Sequence, residues 1–160
     1  LLVEVYDMKK ITIIGVLVVF SLGTLFHFMY DWIPFFIFPM NESIFEHCKL
    51  VLFPFLIFYL CCLPFYKEDK SQLFSSFVSV ILVTIAIIVT GYYTYSGILG
   101  YDVDAVNIIL YYVAVLIGFF MIYKKKTFVS FSNSVVFLLI MIVLFSVFSF
   151  YPPSLSFFKG

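Results

Sequence analysis

Five long apolar runs, parted by short polar segments, constrain this chain more than any other feature. They are read as helices over residues 11–30, 43–66, 73–95, 105–123 and 129–151. A run of about 20 apolar residues rises about 30 Å as a helix, the thickness of a bilayer's hydrocarbon core. Only helices and closed barrels satisfy every backbone polar group in lipid. Unbroken apolar runs of this length select helices. The expected fold is all-α: a single transmembrane domain over 1–160, an integral membrane bundle of five spanning helices. Composition removes the soluble alternative. The chain is 64% hydrophobic and 11% charged, against about 25% charged in a soluble domain. A formal net charge of zero provides no basic face, so no nucleic-acid partner is expected. The expected partner is the lipid bilayer and the expected location a cell membrane, crossed several times.

The lysines set an expected orientation, because cytoplasmic loops are enriched in them. Lys9, Lys10, Lys67, Lys70 and Lys124 to Lys126 fall on one side; Lys49 and Lys159 fall on the other. The N-terminus is therefore expected in the cytoplasm and the C-terminus outside. Asp31, Glu42, Glu46, Asp102 and Asp104 then share an electronegative outer mouth. Residues Leu1 to Asp7 read as an extension upstream of a natural start at Met8. The Lys9-Lys10 head resembles a secretory signal, but its apolar run continues past the small residues around Ser21 and Gly23, so a retained helix is expected. Cys48 and Cys61 lie too far apart on one helix to bridge, and Cys61 and Cys62 are adjacent, so all three cysteines are expected as small apolar residues. Lipidation of Cys61 or Cys62 is the minority reading.

Chemistry concentrates in Pro39-Met40-Asn41-Glu42-Ser43-Ile44-Phe45-Glu46-His47-Cys48-Lys49. Trp32 reads as an interface anchor before it, and residues 34–39 as a segment too short to span. Asn41 or Ser43 is the expected cap of the second helix, with Glu46 completing a capping box. Pro54 is expected to bend or open that helix around Leu50 to Pro54. Glu46 lies about 30 Å up the helix from Tyr66, and His27 about 25 Å past Lys10, so both histidines sit at similar depth. Glu42, Glu46 and Lys49 share one stripe at i, i+4 and i+3 spacing. Asp31 lies one turn after His27, where its carboxylate can orient the imidazole.

Three readings of these residues stay open. In the structural one, the glutamates favour the helix start and Lys49 pairs with Glu46. In the second, His27, Glu46 and His47 are candidate ligands of a divalent metal such as zinc, with Glu46 and His47 as candidate catalytic groups of a metal-dependent or acid–base membrane enzyme acting on a lipid-linked substrate. In the third, His27, Asp31, Glu42, Glu46 and His47 line a polar, acidic binding pocket on the outer face. The preferred function is a small bacterial membrane protein with that pocket; the alternatives are the enzyme and an accessory subunit without chemistry.

The segments His27-Phe28-Met29-Tyr30-Asp31-Trp32, Pro39 to Leu50, Tyr93 to Gly100 and Pro152-Pro153 resemble the signature of an uncharacterised family of small polytopic proteins. That family is found mainly in low-GC Gram-positive bacteria and is filed as a domain of unknown function. Asn-Glu-Ser…Glu-His is the most specific part of the resemblance, which implies five helices and no activity. The family's tail after the proline pair carries an acid; Ser154 to Gly160 carries none.

Overall fold

A computed structural model describes residues 8–29 and 36–158. Its helices are α1 (Met8–Phe28), α2 (Ile44–His47), α3 (Lys49–Cys62), α4 (Lys70–Leu99), α5 (Asp104–Tyr123) and α6 (Phe131–Phe150), followed by one 3-10 turn, Ser156–Phe158. No strand occurs among the described residues. Five segments are long and apolar enough to cross a membrane, with α2 and α3 counting as one, Ile44–Cys62. α4 runs past the expected 73–95 and stops at Gly100 with φ of 79°, a left-handed cap that glycine adopts without a Cβ clash. At 30 residues, α4 rises about 45 Å, beyond a hydrocarbon core of about 30 Å. Its last turns hold Thr90 and Thr94, whose hydroxyls donate to carbonyls one turn back. The Tyr95 hydroxyl donates to Asn107 Oδ1 and accepts from Val103 N at 3.2 Å, fixing the link to α5.

Four helices form the body of the bundle. α1 and α4 each lie along α3 and α5, and α6 packs on α4 outside these four. The span of α2 and α3 is the most enclosed and α6 the least. α3 is apolar on all faces after Lys49 and is buried through Phe55, while its last turn, with Leu60 and Cys61, is exposed. Phe55, Phe58, Phe77 and Phe119 interlock at its centre, with Phe55 and Phe119 stacked at 5.0 Å. α1 turns a single stripe inward: Ile11, Gly15, Val19, Gly23 and Phe26. Gly91 of α4 lies against Leu110 of α5.

Pro54 lies inside α3 and removes the N–H that would have bonded to the Leu50 carbonyl. The Tyr111 hydroxyl of α5 stands 3.3 Å from that carbonyl and 3.1 Å from the Val19 carbonyl of α1. One phenol therefore serves the acceptor that proline orphans and ties three helices together. Gly23 makes the space, since a Cβ there would come within 1.9 Å of the Tyr111 oxygen. α3 runs as one helix from Lys49 through Pro54 to Cys62, so the expected opening around Leu50 to Pro54 does not appear as a break in the helix. The irregularity in the span lies earlier, at Cys48.

At the other end of the bundle, Lys125 and Glu68 form an ion pair at 2.7 Å, and the Tyr66 hydroxyl donates to Glu68 at 3.2 Å. These join the 63–69 and 124–130 connections. The Lys125 ammonium holds the Glu68 carboxyl below its usual range. Burial, and then the Glu68 charge, push the Tyr66 phenol up to about 12. Because Glu68 is depressed, this tie is present above the ordinary carboxylate range and is lost as pH falls through the lowered value.

Tyr111→Phe leaves the Leu50 carbonyl without its donor among apolar side chains. A loss of about 1–3 kcal/mol is expected, read as a lower melting temperature in detergent. Tyr112→Phe removes only an exposed bond to Thr24 and should cost under about 0.5 kcal/mol. Equal melting of both variants and the parent would contradict the role assigned to Tyr111.

Candidate functional site

Residues 36–43 approach α2 through a series of turns. Asn41 Oδ1 accepts from Ser43 N at 2.8 Å, an Asx turn that holds Ser43 in extended backbone. Ser43 is the N-cap, and its Oγ accepts from Glu46 N at 3.3 Å. Half of the expected capping box is therefore present. The returning half is not, because Glu46 accepts from Met40 N at 2.8 Å rather than from Ser43 N. α2 is four residues long, and Cys48 separates it from α3. Cys48 keeps helical backbone, with φ of −62° and ψ of −22°, so the helix expected over 43–66 is one span, Ile44–Cys62, with a local irregularity at Cys48. The expectations for Asp31, Trp32 and residues 34 and 35 of the 34–39 segment fall outside the described residues, as do those for Leu1 to Asp7 and Lys159.

Glu46 points into the bundle, with 1% of its surface exposed, and Lys49 beside it has 0%. Lys49 Nζ lies 2.5 Å from Glu46 Oε2 and donates also to the Phe38 carbonyl at 3.2 Å. Glu46 Oε1 is 2.6 Å from the Ser149 hydroxyl of α6. That hydroxyl is also 2.6 Å from the Phe145 carbonyl. Its single proton belongs to the carboxylate, where the bond is charge-assisted. Both oxygens of Glu46 are therefore occupied by protein donors. Around this pair lie aromatic rings: Phe45 is 4.7 Å from Phe145 and 4.6 Å from Phe158 of the tail. The pair ties the 36–43 loop, α2, α3 and α6 together.

His47 points the other way. Its Nδ1 lies 2.9 Å from the Ser43 carbonyl, one turn back. A carbonyl can only accept, so Nδ1 carries the proton and Nε2 of the neutral ring presents a lone pair. Nε2 faces Glu42 Oε2 at 3.4 Å. The ring of His27, at the end of α1, is 5.2 Å from the ring of His47, centre to centre. One ligand atom from each of His27, Glu42 and His47 lies within 4.8 Å of the others. The histidines are half-buried and Glu42 is exposed, so the cluster opens at the end of the bundle. Among the described residues, these three form the group able to hold a metal.

The structure thus divides the predicted residues into two groups. His27, Glu42 and His47 converge, while Glu46 is held apart by Lys49 and Ser149. Two contributors were not foreseen. Ser149 sits in an apolar run, where a serine is common and signals little by itself. Tyr111 belongs to a run rich in tyrosine, and only its pairing with the carbonyl freed by Pro54 reveals its use.

The chain belongs to a family of unknown function, DUF6512, which matches it over residues 2–160. No curated protein and no solved structure matches the chain. The family is uncharacterised, and its helical, apolar character is that of this chain; it brings no activity with it.

If Glu46 serves the scaffold, Glu46→Gln leaves the Lys49 charge buried without a counter-charge. The expected loss is about 3–5 kcal/mol, measured by thermal or chemical unfolding of purified protein. Adding Lys49→Met to Glu46→Gln should restore part of that loss, since a neutral pair leaves no buried charge. Full stability of the single variant would remove Glu46 from the scaffold.

Proposed function

We propose that this protein is a five-span integral membrane protein of a bacterial cell membrane. Its N-terminus is cytoplasmic and its C-terminus outside, and its outer end presents a polar ligand-binding pocket built on His27, Glu42 and His47. Glu46 holds the pocket's floor in place, and Asp31 joins the reading on its sequence spacing from His27 alone. One observation carries the reading. Both histidines of the chain, from sequence-distant segments, meet at one carboxylate, yet none of the three supports the core in the way that Glu46 does. Two half-buried imidazoles and an exposed carboxylate, gathered beyond the needs of stability, are the kind of polar groups that a binding pocket uses. The orientation rests on lysine placement and on the Glu68–Lys125 pair, which brings two lysine-bearing connections to the same end.

A pocket and a structural hub respond differently to substitution. His27→Asn, Glu42→Gln and His47→Asn should each change stability by less than about 0.5 kcal/mol, because the Asn amide at 47 can still donate to the Ser43 carbonyl. Melting losses like that of Glu46→Gln in all three would show a hub and defeat the pocket. Orientation is checked in a Cys61→Ser, Cys62→Ser background. An impermeant thiol reagent applied to intact cells should label Asp102→Cys and spare Ser71→Cys; the opposite pattern would invert the topology.

A further inference from the structure

We infer that His27, Glu42 and His47 bind one divalent transition-metal ion, with zinc the ion that fits the donor set. The inference rests on the reading of these residues as a pocket and names its ligand. Two imidazole nitrogens and one carboxylate oxygen form a known type of three-ligand zinc set, which keeps a fourth position for water or another ligand. Magnesium and calcium prefer oxygen throughout, so two nitrogen donors select against them.

Two features of the geometry point the same way. The first is the proton on His47. Metal-bound histidines commonly donate their other ring N–H to a carbonyl or carboxylate, which fixes the tautomer and aims the lone pair. The Ser43 carbonyl does this for His47 at 2.9 Å, so Nε2 is the free donor and it is the atom that faces Glu42.

The second is a distance. A charge-assisted hydrogen bond from imidazole to carboxylate has a length of about 2.7–2.9 Å. His47 Nε2 and Glu42 Oε2 are 3.4 Å apart. Two ligands of a tetrahedral zinc, each about 2.0–2.1 Å from the ion, lie about 3.4 Å from one another. The pair is already spaced as neighbours in a coordination shell. The widest separation in the cluster, within 4.8 Å, closes by rotation of side chains that are half-buried or exposed.

The backbone supports this arrangement. Glu42 precedes the N-cap, so its side chain is not bound to a helical stripe and can reach back to His47. Glu46 would be the competing carboxylate, but its oxygens are engaged by Lys49, Met40 and Ser149. Among the described residues, Glu42 is thus the carboxylate left for the ion.

The chain contains two histidines, and both lie in this cluster. The test therefore uses full-length protein in detergent, purified without a polyhistidine tag and stripped by a chelator. On adding zinc chloride and removing the excess, elemental analysis should find one zinc per chain and the melting temperature should rise. Magnesium chloride should produce neither effect. Cobalt(II) should give the intense visible absorption of a four-coordinate ion. His27→Ala, His47→Ala and Glu42→Gln should each weaken zinc binding by at least about tenfold, whereas Cys61→Ser with Cys62→Ser should leave it unchanged. No retained zinc, or retention that the three variants leave unaltered, overturns the metal site. If the stability comparison above has found the three positions neutral, the pocket outlives that result. If they behave as a hub, the pocket itself fails.

Discussion

The end of the bundle that carries α2 depends on the ion pair between Glu46 and Lys49. Neither residue reaches solvent, and so neither charge is tolerable without the other. Once they are paired, the remaining hydrogen-bonding capacity must also be met within the protein. Met40 N, Ser149 and the Phe38 carbonyl meet it. Two of these partners come from the 36–43 loop and the third from α6. A requirement of electrostatics therefore becomes a positional constraint on the 36–43 loop, on α2 and on the far end of α6.

The constraint has a consequence on the opposite side of α2. Adjacent residues of a helix point about 100° apart, so committing Glu46 inward turns His47 outward. His47 then lies over the end of α1, beside His27. Ser43 serves both sides at once: its hydroxyl caps Glu46 N, and its carbonyl takes the His47 Nδ1 proton. In this way α2, only four residues long, converts a buried scaffold into an aimed imidazole. Farther down the bundle, the Tyr111 hydroxyl of α5 meets α3 at the Leu50 carbonyl and α1 at the Val19 carbonyl, linking the helix that carries His27 to the one that follows α2.

Much of this was readable from residue patterns. The apolar runs gave five helices because length and hydropathy decide that question almost alone. Ser43 was a legible cap, and counting rise per residue put His27 and His47 at one depth. The roles of the two glutamates were harder to separate. Spacing at i, i+4 placed Glu42 and Glu46 on one stripe, which holds only if both are helical. The helix begins at Ile44, so Glu42 is freed from the stripe and swings to His47. The irregularity at Cys48 carried no proline or glycine to signal it. Ser149 was invisible for a different reason: its meaning lies in a contact between residues 103 positions apart, and no local pattern encodes that.

The central claim is that Glu42, rather than Glu46, shares a site with the two histidines. Nitrogen-15 NMR of the labelled imidazoles tests it most directly, because a chain with two histidines gives only two sets of ring signals. At a pH where both rings are neutral, His47 should show a protonated Nδ1 and an unprotonated Nε2. Glu42→Gln should shift the Nε2 signal strongly, while the paired change Glu46→Gln with Lys49→Met should leave it nearly in place. A His47 protonated at Nε2, or a ring signal that answers to Glu46 and ignores Glu42, would contradict the account.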